Sequence, residues 1–145
     1  MAERLGQIAQ TANPLEHRFM NRERAAAFRV KAFAATNNVD KVHFYGQMAV
    51  ELLNAGHTEV SILEFDKMEQ LLNETQLLET NKNLLLSYRA LAHLRLGEQD
   101  NCLTNHTVES CLFPIRSAGV HKIERGSRGA ITVLPNLLTA FPADL

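Results

Sequence analysis

Hydrophobic residues recur at intervals of three and four over most of the chain, which is the spacing of one face of an α-helix. Two stripes of this kind are Val42, Tyr45, Ala49, Leu52 and Leu53, and then Ile62, Phe65, Met68, Leu71 and Leu72. A third stripe runs from about residue 81 to residue 96. The pattern predicts an all-α protein with five or six helices.

The loop between the first two stripes, "NAGHT", is short enough to make an antiparallel helical hairpin. Gly56 suits the left-handed conformation that often follows a helix C-terminus, and Thr58 suits the N-cap of the next helix. Upstream, Asn21 is expected to cap a helix over Arg22–Ala35. A shorter helix is expected over Glu3–Ala12, before the break at Pro14.

Gly56 and Gly97 each close a helix of similar character, "QMAVELLNAG" and "RALAHLRLG". The local pattern resembles a tetratricopeptide repeat, a family of paired helices that stack into a right-handed array. The first helix of such a unit matches Tyr45, Ala49, Leu52 and Gly56, and the second matches Ser61, Phe65 and Met68. The resemblance implies one domain over residues 1–145, with a concave inner face.

The helix expected directly after Gly97 does not begin there, because "EQDNCLTNH" has no apolar face. The sequence "GSRGAITVLPNLLTAFPADL" reads as that helix displaced, with Ser127 as its N-cap and a bend near Pro135. Residues 98–126 are therefore predicted to be an ordered loop inserted between the two helices of one repeat, since structureless loops of this length are uncommon.

The insertion contains the candidate residues for a disulfide or a metal site, which are Cys102, His106, Cys111 and His121. A disulfide between the two cysteines would close a loop of about ten residues and contribute roughly 2.5 to 3 kcal/mol. Alternatively, two thiolates and two imidazoles form a suitable set for zinc or copper(I).

A third interpretation of the insertion is packing alone. Two reduced cysteines would then lie with Leu112, Phe113 and Ile115 over the helices, while the histidines donate to loop carbonyls. No oxyanion-hole, phosphate-binding or paired-carboxylate motif accompanies the cysteines and histidines. The chain is therefore not expected to be an enzyme.

The net charge and the hydropathy of the chain limit the classes of partner that it is expected to bind. The 15 basic and 16 acidic side chains give a net charge of -1, which leaves no excess positive charge for nucleic acid. No apolar run is long enough for a membrane span, and "MAERLGQIAQ" does not resemble a secretion signal.

The run "LAHLRLGEQDNCLTNHTVESCLFPI", with "GVH" and "GSRGAI" after it, resembles the N-terminal tetratricopeptide-like region of bacterial FG-GAP/VCBS-repeat proteins that carry an ASPIC/UnbV domain. The upstream "NRERAAAFRVKAF" and "ELLNAGHTEVSILEFDKM" are similar to that region as well. The resemblance implies export to the periplasm or outside the cell and an adjacent β-propeller.

We therefore expect a protein-protein interaction or scaffolding module that binds a protein or peptide on its inner face, formed by helices near 42–55 and 81–96. Candidate contacts on that face are Tyr45, Gln47, Arg89 and His93. The end "TAFPADL" lacks a polar capping helix, which predicts docking to a further domain or self-association. The alternative function is a metal-binding or redox module built on the insertion.

Overall fold

The computed structural model describes residues 1–75, 78–104, 106–110 and 113–140, with the side chains of 78–80 and 140 left aside. Within these ranges the protein is all-α, as predicted, and has no strand. The six helices are α1 Ala2–Thr11, α2 Asn21–Ala34, α3 Asn38–Asn54, α4 Thr58–Glu74, α5 Leu78–Glu98 and α6 Arg125–Ala140. Short 3-10 turns lie at Pro14–Glu16 and Ser117–Gly119, and a π-helical turn, Gln99–Leu103, continues α5.

The helices from α2 to α6 pack as a row in which each contacts the next along the chain. The hairpins α3–α4 and α5–α6 are therefore present, although their assignment to tetratricopeptide repeats stays a prediction. The last five residues, on which part of the predicted C-terminal junction falls, lie outside the described residues.

The main hydrophobic core is shared by α3, α4 and α5. Its buried members are Val42, Ala49, Leu53, Phe65, Met68, Leu72, Leu85 and Ala92. Ser61 of α4 is fully buried, and its hydroxyl donates to the carbonyl oxygen of Ala49 at 2.7 Å. A small polar side chain thus brings α4 close to α3 and satisfies its own hydrogen bond.

Helix ends follow the prediction at Gly56. They depart from it at Gly97, beyond which α5 continues, and at the three predicted caps Asn21, Thr58 and Ser127. Gly56 has the expected positive φ, +80°. Thr58 does not cap α4, because the N-cap is His57 and the Thr58 hydroxyl is turned into the protein. Asn21 does not cap α2 either, since it is the first residue of that helix. With its amide oriented to satisfy both polar atoms, Asn21 donates to Glu51 at 2.9 Å.

Arg24 fastens the start of the chain to α3. Its Nε lies 2.7 Å from Glu51 Oε1, and its Nη1 donates to the carbonyl oxygen of Leu15 at 3.0 Å. Both side chains of the ion pair are largely buried. The turn at Pro14–Glu16 is therefore held beside the C-terminal half of α3.

The helices α5 and α6 approach closely at glycine. A Cβ atom on Gly126 would overlap the backbone of Gly97, and one on Gly129 would overlap the imidazole ring of His93. Ser127 is the third residue of α6 and donates to the carbonyl oxygen of Glu124 at 3.0 Å, so it is not the N-cap. The glycines of "GSRG" are thus explained by helix contact.

This contact predicts that Gly126→Ala will lower the free energy of unfolding by about 3 kcal/mol, because two backbones must separate to admit one methyl group. Gly6→Ala is the matched control, since a Cβ there meets nothing within 4 Å. Urea denaturation of the two variants measures the difference. Equal stability of both variants would show that α5 and α6 do not pack at this distance.

Candidate functional site

The two ends of the insertion are clamped together by Asn101, whose exposed fraction is only 4%. Its Oδ1 accepts from the backbone N–H groups of Lys122 and Ile123 at 2.9 and 3.0 Å. Its Nδ2 donates to the carbonyl oxygens of Gly97 and Ile123 at 2.9 and 2.8 Å. One side chain therefore supplies the returning segment with the hydrogen bonds that a strand partner would provide.

A salt bridge reinforces this clamp. Arg125 donates to both carboxylate oxygens of Asp100, at 2.6 and 2.7 Å, and also to Glu59 of α4. The hydrogen bond from Arg125 lowers the pKa of Asp100, against the opposing effect of burial. The residues that begin and end the insertion are thus fixed to each other and to α4, which places α6 on α5.

The structure brings together two of the four predicted Cys/His residues. Cys102 has a free thiol, and its Sγ lies 3.8 Å from Nε2 of His121. His106 is exposed and lines a small cavity of about 180 Å³ that also includes Asn101 and Lys122. Cys111 lies outside the described residues.

Among the described residues, no group of three or more His, Cys, Asp or Glu is placed to hold a metal ion. A zinc or copper site that includes Cys111 stays a prediction. The predicted disulfide from Cys102 to Cys111 is not formed in this structure, because the thiol of Cys102 is free. Of the four candidate side chains, Cys102 and His121 are the pair whose separation the structure describes.

An apolar cavity of about 470 Å³ lies between α3 and α5. Phe65 and Met68 of α4 form its floor, and both are buried. Val39 of α3 and Leu84 of α5 form exposed walls, with exposed fractions of 62% and 56%. We call this cavity the α3/α5 groove.

The α3/α5 groove is also electrically neutral. The polar residues in its lining are His43, Gln47, Asn81 and Tyr88, and no Asp, Glu, Lys or Arg of the described chain lines it. An apolar side chain that enters this groove leaves water without displacing a charged group. A charged side chain would lose its hydration there without an opposite charge to pair with.

Of the four residues expected on the inner face, only Gln47 lines the α3/α5 groove. Tyr45 instead lines a separate cavity with residues of α2 and α4. Arg89 pairs with Asp66 and Glu69 of α4 at 2.9 and 2.6 Å. His93 packs against Gly129 of α6.

Sequence reasoning missed the groove walls, Val39 and Leu84. Val39 precedes the stripe assigned to α3, and Leu84 begins the run "LLL", which is too long to lie on one face of a helix. That run was the available signal for a second apolar face on α5. Leu84 is exposed, whereas Leu85 and Leu86 are buried.

His93 is half-buried, and its Nδ1 is a buried atom with no hydrogen-bond partner in the described structure. Burial lowers its pKa, the charge of Arg89 lowers it further, and Asp66 opposes the shift. The neutral form of the imidazole is therefore favoured at pH 7.

Comparisons with known proteins give no match to any protein-family model, curated protein or solved structure. Within the described ranges, every helix is too short or too polar to cross a membrane. The resemblance to FG-GAP/VCBS-associated regions stays a prediction.

The lowered pKa of His93 predicts a pH-dependent stability. The unfolded chain binds a proton near pH 6.5, and the folded chain binds it only at lower pH. Below about pH 6.5 the unfolded state therefore takes up more protons, and stability falls as the pH falls. Urea denaturation from pH 7.5 to 5 should show a shallower decline for His93→Gln than for the natural chain.

His17→Gln is the control for this experiment, because His17 is exposed on the turn before α2. It should retain the decline of the natural chain. If His93→Gln and His17→Gln give the same pH profile as the natural chain, His93 is not held neutral by the fold.

Proposed function

We propose that this chain is a protein-protein interaction module of tetratricopeptide type, which binds an apolar helical segment of a partner in the α3/α5 groove. The observation that supports the proposal is an apolar cavity with a buried floor and exposed apolar walls. Single exposed hydrophobic residues are common on protein surfaces. A concave surface lined by several of them is instead typical of a binding site.

The dimensions of the groove indicate the class of partner. It follows α3 from Val39 to Val50, about 16 Å at the helical rise. A helix that presents apolar residues at spacings of three, four and seven residues along one face fits a groove of this length. Each large apolar side chain that is buried contributes about 1.5 to 3 kcal/mol before the cost of ordering.

The lack of charged residues in the lining indicates that the docking face of the partner helix is uncharged. A helix that carries Lys, Arg, Asp or Glu on its docking face has to desolvate that charge against Val39, Leu84 and Met68. The groove therefore selects for an uncharged apolar stripe.

Selection from a displayed library of random peptides tests the proposal. Peptides that bind the chain should carry apolar residues at helical spacing. Val39→Glu should weaken their binding about tenfold or more, because it places a carboxylate in the groove wall. The matched control is Val30→Glu, on α2 outside the groove and 68% exposed. Selected peptides that bind both variants equally would place the binding site elsewhere.

A second candidate function is the metal-binding or redox module, and the contact between Cys102 and His121 favours it. Bonds of about 2.3 Å to sulfur and 2.0 Å to nitrogen separate the two donor atoms by about 3.5 Å in a tetrahedral site and about 4.3 Å in a linear one. The observed separation of 3.8 Å lies between these limits. This separation supports a shared zinc or copper ion, and it is also the distance of a hydrogen bond between the thiol and the imidazole.

Metal analysis with a thiol count, on protein purified without chelator, tests this second function. We expect one equivalent of zinc or copper per chain, lost in Cys102→Ser and in His121→Gln and retained in His57→Gln. Loss of two thiols by oxidation without bound metal would indicate the disulfide instead. Two free thiols without metal would contradict both interpretations.

A further inference from the structure

A second concave surface lies where residues of α2, α3 and α4 meet, and its cavity measures about 320 Å³. We call it the α2/α4 cleft. The residues that decide its chemistry are Phe33 of α2, Lys41 and Tyr45 of α3, and Lys67, Leu71 and Glu74 of α4. The cleft therefore combines apolar and charged side chains, whereas the α3/α5 groove has no charged residue in its described lining.

The apolar part of the α2/α4 cleft is accessible to a partner. Phe33 is 69% exposed, and Leu71 is half-buried. The guanidinium carbon of Arg29 lies 5.8 Å from the centroid of the Phe33 ring, the distance of a cation–π contact. A side chain that packs on Phe33 therefore removes apolar surface from water beside a positive charge.

Two polar groups of α3 line the same cleft without a partner of their own. Lys41 is half-buried, and within the described residues it has no ion-pair partner. Its neighbour Asp40 accepts instead from the side chain of Asn37, at 2.7 Å. The hydroxyl of Tyr45, one helical turn after Lys41, likewise has no hydrogen-bond partner in the described structure. A carboxylate can accept hydrogen bonds from both groups.

The remaining charges of the lining leave it positive. Lys67 pairs with Glu64, which lies outside the lining, at 2.8 Å. Exposed pairs of this kind are weak, so Lys67 can also approach a second carboxylate. Glu74 is the acidic residue of the lining and forms no ion pair with either lysine. Two lysines and one glutamate give a net charge of +1, which complements an acidic ligand.

We propose that the α2/α4 cleft binds an acidic segment of a protein partner. An Asp or Glu side chain of that segment pairs with Lys41 and Tyr45, and a neighbouring apolar side chain packs on Phe33. This inference goes beyond the proposed function, because it concerns a separate surface with the opposite requirement for charge. The α3/α5 groove favours an uncharged stripe, whereas the α2/α4 cleft favours a carboxylate.

Peptide selection on the Val39→Glu chain tests the proposal, because Val39 lines the α3/α5 groove and not the α2/α4 cleft. The selected peptides should carry Asp or Glu next to an apolar residue. Adding Lys41→Gln should weaken their binding about tenfold, because it removes the charge that pairs with the carboxylate. The matched control is Lys31→Gln, an exposed residue of α2 outside the lining, which should change binding less than about twofold.

Glu74→Gln gives a change of the opposite sign. Glu74 is exposed, so circular dichroism should show unchanged helicity. Its removal should tighten the binding of the same peptides about twofold or more, because a like charge leaves the lining. Loss of a merely structural contact would not strengthen binding, so opposite effects of Lys41→Gln and Glu74→Gln support the proposed site.

Three outcomes would overturn the proposal. The first is a selection that yields no acidic peptides. The second is equal weakening by Lys31→Gln and Lys41→Gln, which indicates general attraction between charges. The third is unchanged binding when Ser replaces the apolar residue of the peptide, which indicates an anion site where no segment docks. None of these results bears on the α3/α5 groove, whose peptides are recognised by their sensitivity to Val39→Glu.

Discussion

The packing of α4 between α3 and α5 is the constraint on which the rest of the structure depends. Ser61 and Ala49 bring α4 against α3, and Phe65 stacks on Tyr88 of α5 with ring centroids 5.9 Å apart. Because α4 occupies one side of both helices, it separates them and covers only part of their apolar surface. The uncovered part is the α3/α5 groove, whose floor belongs to the core.

A small number of contacts between the two ends of the insertion holds α6 against α5. The segment between α5 and α6 is long and has little core of its own, but its ends meet through the amide of Asn101 and the pairing of Asp100 with Arg125. Gly97 and Gly126 then allow the two helices to touch at the backbone. The residues that hold the ends of this segment together are therefore Asn101, Asp100 and Arg125, and not the cysteines and histidines that the sequence suggested.

The helices could be predicted from the sequence because the apolar spacing is regular. The end of α3 could be predicted from Gly56, whereas α5 continues beyond Gly97. The caps were wrong at Asn21 and Thr58, because each side chain has a tertiary environment that a local rule ignores. The groove walls escaped prediction for a related reason. A stripe marks the face that is buried, whereas Val39 and Leu84 belong to a second face whose exposure depends on how α3, α4 and α5 are arranged.

The central claim is that the α3/α5 groove is the binding surface, and backbone amide chemical shifts test it most directly. A peptide selected for binding is titrated into isotope-labelled chain. The account predicts shift changes concentrated along the groove, over residues 39–50 and 81–88, with the floor at Phe65 and Met68 included. Changes confined to the insertion or to α6, with the groove amides unmoved, would contradict it.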